Sequence, residues 1–75
     1  MRNYTNFRVR DGYYQEEVAT FDSMEAALSF LEENYGKDNV VEQLVQIDAS
    51  NEDDERETFC ELEIYDMMSE LDYNG

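Results

Sequence analysis

Residues 21–36 read FDSMEAALSFLEENYG and predict the helix around which the rest of the chain is arranged. Asp22 is a favourable N-cap, and Glu25 three residues later completes a capping box. Phe21 can pack against Ala26 as a hydrophobic staple across this first turn. The segment therefore has a defined N-terminal end before any tertiary contact is considered.

The interior of this segment carries a single apolar stripe, and its far end carries a stop signal. The stripe follows the spacing of one helix face and consists of Met24, Ala27, Leu28, Leu31 and Tyr35. Gly36 comes directly after it and favours a C-terminal cap. The outer face carries Glu25, Ser29, Glu32 and Glu33. We expect one face of the helix on a core and the other in solvent.

The segment before the helix, residues 4–18, predicts a β-hairpin. Asp11-Gly12 indicates a two-residue turn, because both positions tolerate positive φ. Counting outward from that turn pairs Arg10 with Tyr13. One face of the hairpin would then carry Phe7, Val9 and Tyr14 toward the core, and the other Tyr4, Arg8, Arg10, Tyr13 and Glu17.

Two further strands are predicted after the helix. Residues 40–48, VVEQLVQID, are apolar and β-branched. Residues 49–55, ASNEDDE, supply a polar connection, and residues 56–66, RETFCELEIYD, alternate as a strand does. Their inward set would be Cys60, Leu62 and Ile64, and their outward set Glu57, Phe59, Glu61, Glu63 and Tyr65.

The end of the chain returns to helical spacing. Met67, Met68 and Leu71 predict a short helix over residues 66–73, and an alternative extends that helix back to about Glu57. The strand reading gives the order β-β-α-β-β with a short terminal helix. We therefore predict one small acidic α+β domain over residues 1–75, with an antiparallel sheet whose uncovered face is polar and acidic.

The net charge distinguishes the classes of partner that the chain attracts from those that it repels. Twenty acids against five bases give a net charge of −15, and three of the arginines lie in residues 1–10, which hold no acid. Such a field repels nucleic acid and anionic membrane and attracts basic surfaces. Tyr4, Arg8, Arg10 and Tyr13 could form a stacking platform for single-stranded nucleic acid. The preferred interpretation is that these arginines pair with acids on neighbouring strands, so no direct nucleic-acid binding is expected.

The chain offers little for catalysis or for metal binding. It has no histidine, and Cys60 is the single cysteine, which we expect to be a core thiol. A calcium loop beginning at Asp48 fails, because Asp53 stands where glycine is needed and Phe59 where glutamate is needed. Loose cation binding by the acids at 53–55 remains an alternative. We expect no enzyme, no cofactor and no dedicated metal site.

The expected cellular compartment is inferred from two kinds of segment, a membrane-spanning run and a secretory signal. No apolar run reaches the roughly 20 residues needed to span a bilayer. The N-terminus has no apolar h-region of a secretory signal. We therefore expect a cytoplasmic protein without a membrane partner.

The acids themselves form the candidate site. The net charge of −15 is larger in magnitude than the range of about 2–8 that keeps a small domain soluble. In the strand reading, glutamates share one face with two aromatic residues that could anchor an interface. The predicted phosphate surrogates are Glu52, Asp53, Asp54, Glu55, Glu57, Glu61 and Glu63, with Phe59 and Tyr65 as anchors and Glu32 and Glu33 as a secondary pair.

A small, histidine-free, strongly acidic α+β chain resembles the phage-encoded nucleic-acid mimics, which include antirestriction and anti-CRISPR proteins. The resemblance covers the whole chain in size and charge, and it carries over no site residues. It implies an inhibitor of a basic nucleic-acid-binding protein, such as a CRISPR–Cas effector or a restriction enzyme. An alternative is a small acidic interaction module, antitoxin-like or accessory, that binds a basic partner through shape and apolar contacts. A homodimer through exposed aromatic residues is a third hypothesis.

Overall fold

A computed structural model describes the backbone of residues 3–74 and the side chains of residues 3–71. The elements are β1 (Asn6–Asp11), β2 (Glu16–Phe21), α1 (Met24–Asn34), α2 (Lys37–Glu42), β3 (Gln46–Ser50), β4 (Arg56–Phe59) and α3 (Glu61–Asn74). The strands form one antiparallel sheet in the order β2-β1-β3-β4. The predicted α+β class is confirmed, with one more helix than expected.

The core lies between one face of the sheet and the three helices. Phe7 of β1 stands opposite Ala49 of β3, and Val9 stands opposite Ile47, so alternate residues of two central strands share one buried face. The helices and the segment before β3 complete the core with Ala27, Leu28, Leu31, Val40, Val45, Ile64 and Met68. The apolar stripe predicted for α1 is therefore confirmed as a core face.

Helix α1 begins and ends close to where the sequence predicts. Its N-cap is Ser23 rather than Asp22, and the Ser23 hydroxyl accepts the Ala26 N–H at 3.2 Å. Both residue types cap well, so adjacent candidates compete. At the other end, the Gly36 N–H donates to the Leu31 carbonyl at 2.9 Å. Gly36 has a φ of +80°, which confirms the predicted stop.

The hairpin of β1 and β2 exists, but its predicted register is wrong. Residues 12–15 form the loop, and Arg10 pairs with Glu17 rather than with Tyr13. The loop is held by the Asp11 carboxylate, whose Oδ1 accepts the N–H groups of Tyr13 and Tyr14 at 2.9 and 3.1 Å. Tyr14, which was expected in the core, is therefore 64% exposed.

Residues 40–48 do not form one strand. Gly36 turns the chain, and α2 begins directly after it, with the Val40 N–H donating to the Gly36 carbonyl at 3.1 Å. Val40 is fully buried, so its packing in the core outweighs the strand preference of a β-branched residue. The strand of this region, β3, starts only at Gln46.

The predicted strand over residues 56–66 ends at Phe59, and α3 begins at Glu61. The alternative with a longer terminal helix is therefore closer to the structure. Cys60 occupies the N-cap position, because its carbonyl accepts the Ile64 N–H at 3.0 Å. The Glu63 carboxylate accepts the Cys60 N–H at 3.1 Å, which is one half of a capping box.

Burial along α3 follows helical rather than strand periodicity. Ile64 and Met68 are fully buried, and Met67 packs against the same core. Leu62, which the strand reading placed in the core, is 61% exposed. Cys60 is half-buried.

The uncovered face of the sheet is polar, but it is not the acidic face that was predicted. Arg8 pairs with Glu17 of β2 at 3.1 Å, and Arg10 pairs with Asp48 of β3 at 3.1 Å. The register places Arg56 of β4 on the same face. The prediction that the arginines of β1 pair with acids on neighbouring strands is confirmed. Arg2 lies outside the described residues.

Candidate protein-binding surface

The acidic turn between β3 and β4 is ordered by one asparagine. The Asn51 side-chain oxygen accepts the N–H groups of Asp53 and Glu55 at 3.0 and 3.1 Å, and its amide nitrogen donates to the Glu55 carboxylate at 2.9 Å. Glu55 is half-buried, whereas Glu52, Asp53 and Asp54 are exposed. The four predicted acids of this turn therefore lie close together, but the Glu55 carboxylate is already used in a hydrogen bond to Asn51.

The three glutamates that were predicted to share a strand face do not share one. Glu57 lies on β4 and accepts the Tyr4 hydroxyl at 3.0 Å. Glu61 and Glu63 lie in the first turn of α3. Residues two apart in a helix are rotated by about 200° about its axis, so these two side chains point to nearly opposite sides. Glu63 also caps the helix. The predicted strand face that carries these three glutamates is therefore wrong.

The two predicted aromatic anchors are partly withdrawn from solvent. Phe59 is half-buried against the core. Tyr65 is also half-buried, and the Lys37 ammonium lies 5.8 Å from its ring centroid. The large apolar side chains that are exposed are instead Tyr13, Tyr14, Leu44, Leu62 and Leu71. Adjacent tyrosines directly after the Asp11-Gly12 turn signal were the sequence feature that could have indicated an exposed aromatic pair.

Nine of the nineteen carboxylates with described side chains lie on the three helices, on a surface that we call the acidic helical surface. Its nine members with described side chains are Glu25, Glu32, Glu33, Asp38, Glu42, Glu61, Glu63, Asp66 and Glu70. All are exposed except Glu61, which is half-buried. Lys37 is the one cation on these helices within residues 3–71, so the net charge of the surface is −8. The secondary pair predicted at 32 and 33 belongs to this surface.

Charge is therefore separated between the two sides of the molecule. The uncovered sheet face holds Arg8, Arg10 and Arg56, two of them paired with acids, and the helices on the opposite side hold the acidic helical surface. On α3, Glu63, Asp66 and Glu70 recur at the i, i+3, i+7 spacing, so they line one face over about 10.5 Å at about 1.5 Å per residue. This side attracts a basic surface more strongly than the sheet face does.

A second polar cluster lies where the hairpin loop meets the end of α1. Asp11 is 3% exposed, and its Oδ2 accepts the Tyr35 hydroxyl at 2.9 Å. Burial, the hydrogen bond to Asp11 and the charges of Asp11 and Glu16 together raise the pKa of Tyr35 to about 12, and burial is the largest of these causes. Tyr35 is therefore a neutral donor to Asp11 at ordinary pH.

This raised pKa predicts a loss of stability at alkaline pH. The unfolded chain ionises Tyr35 near its usual pKa of 10.0, and the folded chain only near 12. The contribution is therefore complete below pH 10 and is lost as the pH rises toward about 12. We expect the urea midpoint of the parent to fall more across this interval than that of Tyr35→Phe. Equal falls in the two proteins would contradict the Tyr35–Asp11 coupling.

Within residues 3–71, no group of three or more His, Cys, Asp or Glu side chains has the arrangement of a metal site. No helix of the described chain combines the length and the apolar composition needed to cross a bilayer. Comparison of the chain with protein-family models, curated proteins and solved structures finds no match.

Proposed function

We propose that this chain is a non-enzymatic inhibitor that imitates nucleic acid and occupies the basic nucleic-acid-binding surface of a host defence protein. A CRISPR–Cas effector or a restriction enzyme, met in the cytoplasm of the host cell, is the kind of target that the proposal names. The observation that carries it is the acidic helical surface, with nine carboxylates and one lysine on one side of the molecule. The helices replace the predicted strand face as the binding surface.

The carboxylates of the acidic helical surface are held in place by the helices that carry them. DNA presents about one phosphate per 3.4 Å along each strand. The Glu63–Asp66–Glu70 row offers three carboxylates over about 10.5 Å. Because a folded helix already fixes the positions of these carboxylates along the row, less ordering entropy is lost on binding than with a flexible acidic tail. A basic groove that attracts phosphates attracts this surface by the same long-range field.

The test is competition with DNA for a purified target. Labelled duplex DNA is bound to a CRISPR–Cas effector or to a restriction enzyme, and the chain is titrated in while fluorescence polarisation is followed. We expect release of the DNA near one chain per target. The logarithm of the apparent binding constant should fall linearly with the logarithm of salt concentration, as it does for nucleic acid. If no nucleic-acid-binding protein of either class releases its DNA, the proposal is wrong.

A pair of matched variants tests where the charge must lie. Glu33→Lys with Asp66→Lys reverses two exposed acids of the acidic helical surface, and Glu52→Lys with Asp53→Lys reverses two exposed acids of the β3–β4 turn. Both double variants change the net charge by the same amount. We expect the helical variant to lose about tenfold or more in competition and to have a shallower salt dependence. The turn variant should lose less than about threefold. Equal losses would contradict the assignment to the helices.

The alternative, a small acidic module that binds a basic partner through apolar contacts, is favoured by one observation. Tyr13, Tyr14 and Leu44 are each at least half exposed. The Tyr13 N–H donates to the carbonyl of Gln43, so the hairpin loop and the α2–β3 turn lie together. Binding through such a patch would change little with salt, which separates the two functions. A homodimer through the same aromatics would appear as doubled mass in light scattering.

A further inference from the structure

A recess of about 330 Å³ opens where α1 and α2 end, beside the hairpin loop. Its lining residues are Asp11, Tyr14, Asn34, Tyr35, Asn39 and Gln43. They come from the end of β1, the hairpin loop, the end of α1, and α2 with its C-cap. None of them is a lysine or an arginine, so the recess has acidic, amide and aromatic walls.

The amide side chains of the recess present oxygen acceptors. The Asn34 amide nitrogen donates to the Phe30 carbonyl at 2.9 Å, and the Asn39 amide nitrogen donates to the Tyr35 carbonyl at 2.6 Å. Because these bonds use the nitrogens, the side-chain oxygens of both asparagines are left to accept. The recess therefore offers acceptor oxygens from the end of α1 and from α2.

Gln43 provides the sharpest signal. Its side-chain Oε1 is buried and has no hydrogen-bond partner among the described residues. A buried acceptor without a donor destabilises a fold, so such groups are rare in native proteins and indicate an absent partner. The missing partner must be a donor.

The field at the recess is negative. The Asp11 carboxylate is buried there, and the Glu16 charge acts on the hydroxyl of Tyr35. Neither α1 nor α2 has a basic residue in its last turn, so neither helix offsets the partial negative charge of its own C-terminal carbonyls. A donor that also carries positive charge fits this position better than a neutral donor does.

We propose that this recess binds a guanidinium group, such as the end of an arginine side chain. A guanidinium has five N–H donors in one plane, and an ammonium has three on a point charge. The planar group can stack against Tyr14 or Tyr35 while it donates to the asparagine oxygens, and it reaches Gln43 Oε1 when the Gln43 side chain rotates toward the recess. That the arginine belongs to a basic partner protein rests on the proposed function, whereas binding of the guanidinium itself does not.

The test uses N-acetyl-L-arginine amide as the probe and the side-chain amide signals of Asn34, Asn39 and Gln43 as the readout in ¹H–¹⁵N NMR. We expect saturable shifts with a Kd on the order of 1 mM, typical of one weak polar anchor. N-acetyl-L-citrulline amide has nearly the same shape and no charge, and it should bind at least about tenfold more weakly. Citrulline binding as tight as arginine binding, or no saturable shift at about ten times that concentration, would overturn the proposal.

Free L-arginine distinguishes the two sources of the group. If the site serves an arginine side chain of a protein, the blocked and the free amino acid should bind alike. If the site serves the free amino acid, L-arginine should bind at least about tenfold tighter, because its ammonium and carboxylate would then be recognised too. Either result supports a guanidinium site.

Gln43→Met separates a binding role from a structural one. It removes the unpartnered acceptor and keeps a similar length, so we expect about tenfold weaker probe binding together with a higher urea midpoint. Gln46→Met on β3 is the matched control, since Gln46 does not line the recess, and it should leave probe affinity unchanged. Unchanged probe affinity in Gln43→Met would contradict the assignment.

The result of the probe titration does not depend on the result of the DNA competition. The titration contains no partner and no nucleic acid, so its failure leaves DNA competition untouched. Probe binding without DNA competition would establish the guanidinium site and reject the proposed function.

Discussion

Replacing Ile64 with alanine should lower the free energy of unfolding by about 2–4 kcal/mol, as truncation of a buried aliphatic side chain does. Ile64 is fully buried in the core, where α3 packs against the sheet. A small domain is expected to have a total stability near the lower end of about 5–15 kcal/mol. The variant should therefore keep only about 1–3 kcal/mol and unfold at a much lower urea concentration than the parent. Urea unfolding followed by circular dichroism measures the change.

Leu62→Ala is the control for this variant. Leu62 is 61% exposed, so its truncation should change the free energy of unfolding by less than about 0.5 kcal/mol. A strand through residues 60–64 would bury both side chains on one face, and both variants would then be strongly destabilised. Similar losses in the two variants would contradict the helical assignment of this segment.

The same segment shows why the sequence misleads at the end of the chain. Cys60, Leu62 and Ile64 alternate as strand residues do, and Ile64 also begins the helical series that continues with Met67 and Met68. Both periods fit the sequence, and the packing of α3 against the sheet selects the second. The local signal for the helix was Glu63, three residues after an N-cap. Because cysteine is not among the preferred N-cap residues, this capping arrangement could not be recognised from the sequence.

Helix α1 was predictable because its apolar stripe and its Gly36 stop agree with the tertiary structure, although its N-cap lies one residue later than predicted. A capping residue, an apolar stripe and Gly36 all indicate the same element, and the stripe is the face that the core needs. Helix α2 had no such agreement. Val40 and Val41 favour a strand locally, and the burial of Val40 is a long-range effect that the segment does not encode.

The candidate site was predictable in composition but not in position. The net charge attracts basic surfaces whichever elements carry the acids. Placing the acids required the correct boundary between β4 and α3, because a strand and a helix send the same residues to different faces. Glu32 and Glu33 were placed correctly, since their helix was predicted correctly. The recess was not predictable, because it joins residues from three separate parts of the chain.

Replacing Gly12 with alanine should be the second large effect. A Cβ at this position would lie 2.4 Å from the Leu44 carbonyl oxygen and 2.9 Å from the Leu44 Cβ. The same carbonyl accepts the Gly12 N–H at 3.1 Å, so the clash falls on a contact that joins the hairpin loop to the α2–β3 turn. We expect the free energy of unfolding to fall by about 1–3 kcal/mol, as overpacking typically causes.

The turn has little freedom to relieve this clash. Leu44 already has a φ of +53°, a left-handed conformation that is unfavourable for leucine. Gln15→Gly is the control within the same loop, because Gln15 also has a positive φ, of 55°, and glycine accepts it without strain. Urea unfolding should show a loss for Gly12→Ala and little change for Gln15→Gly. Because Gln43 precedes Leu44, a displaced turn should also weaken binding of the arginine probe, and unchanged stability in Gly12→Ala would contradict the contact itself.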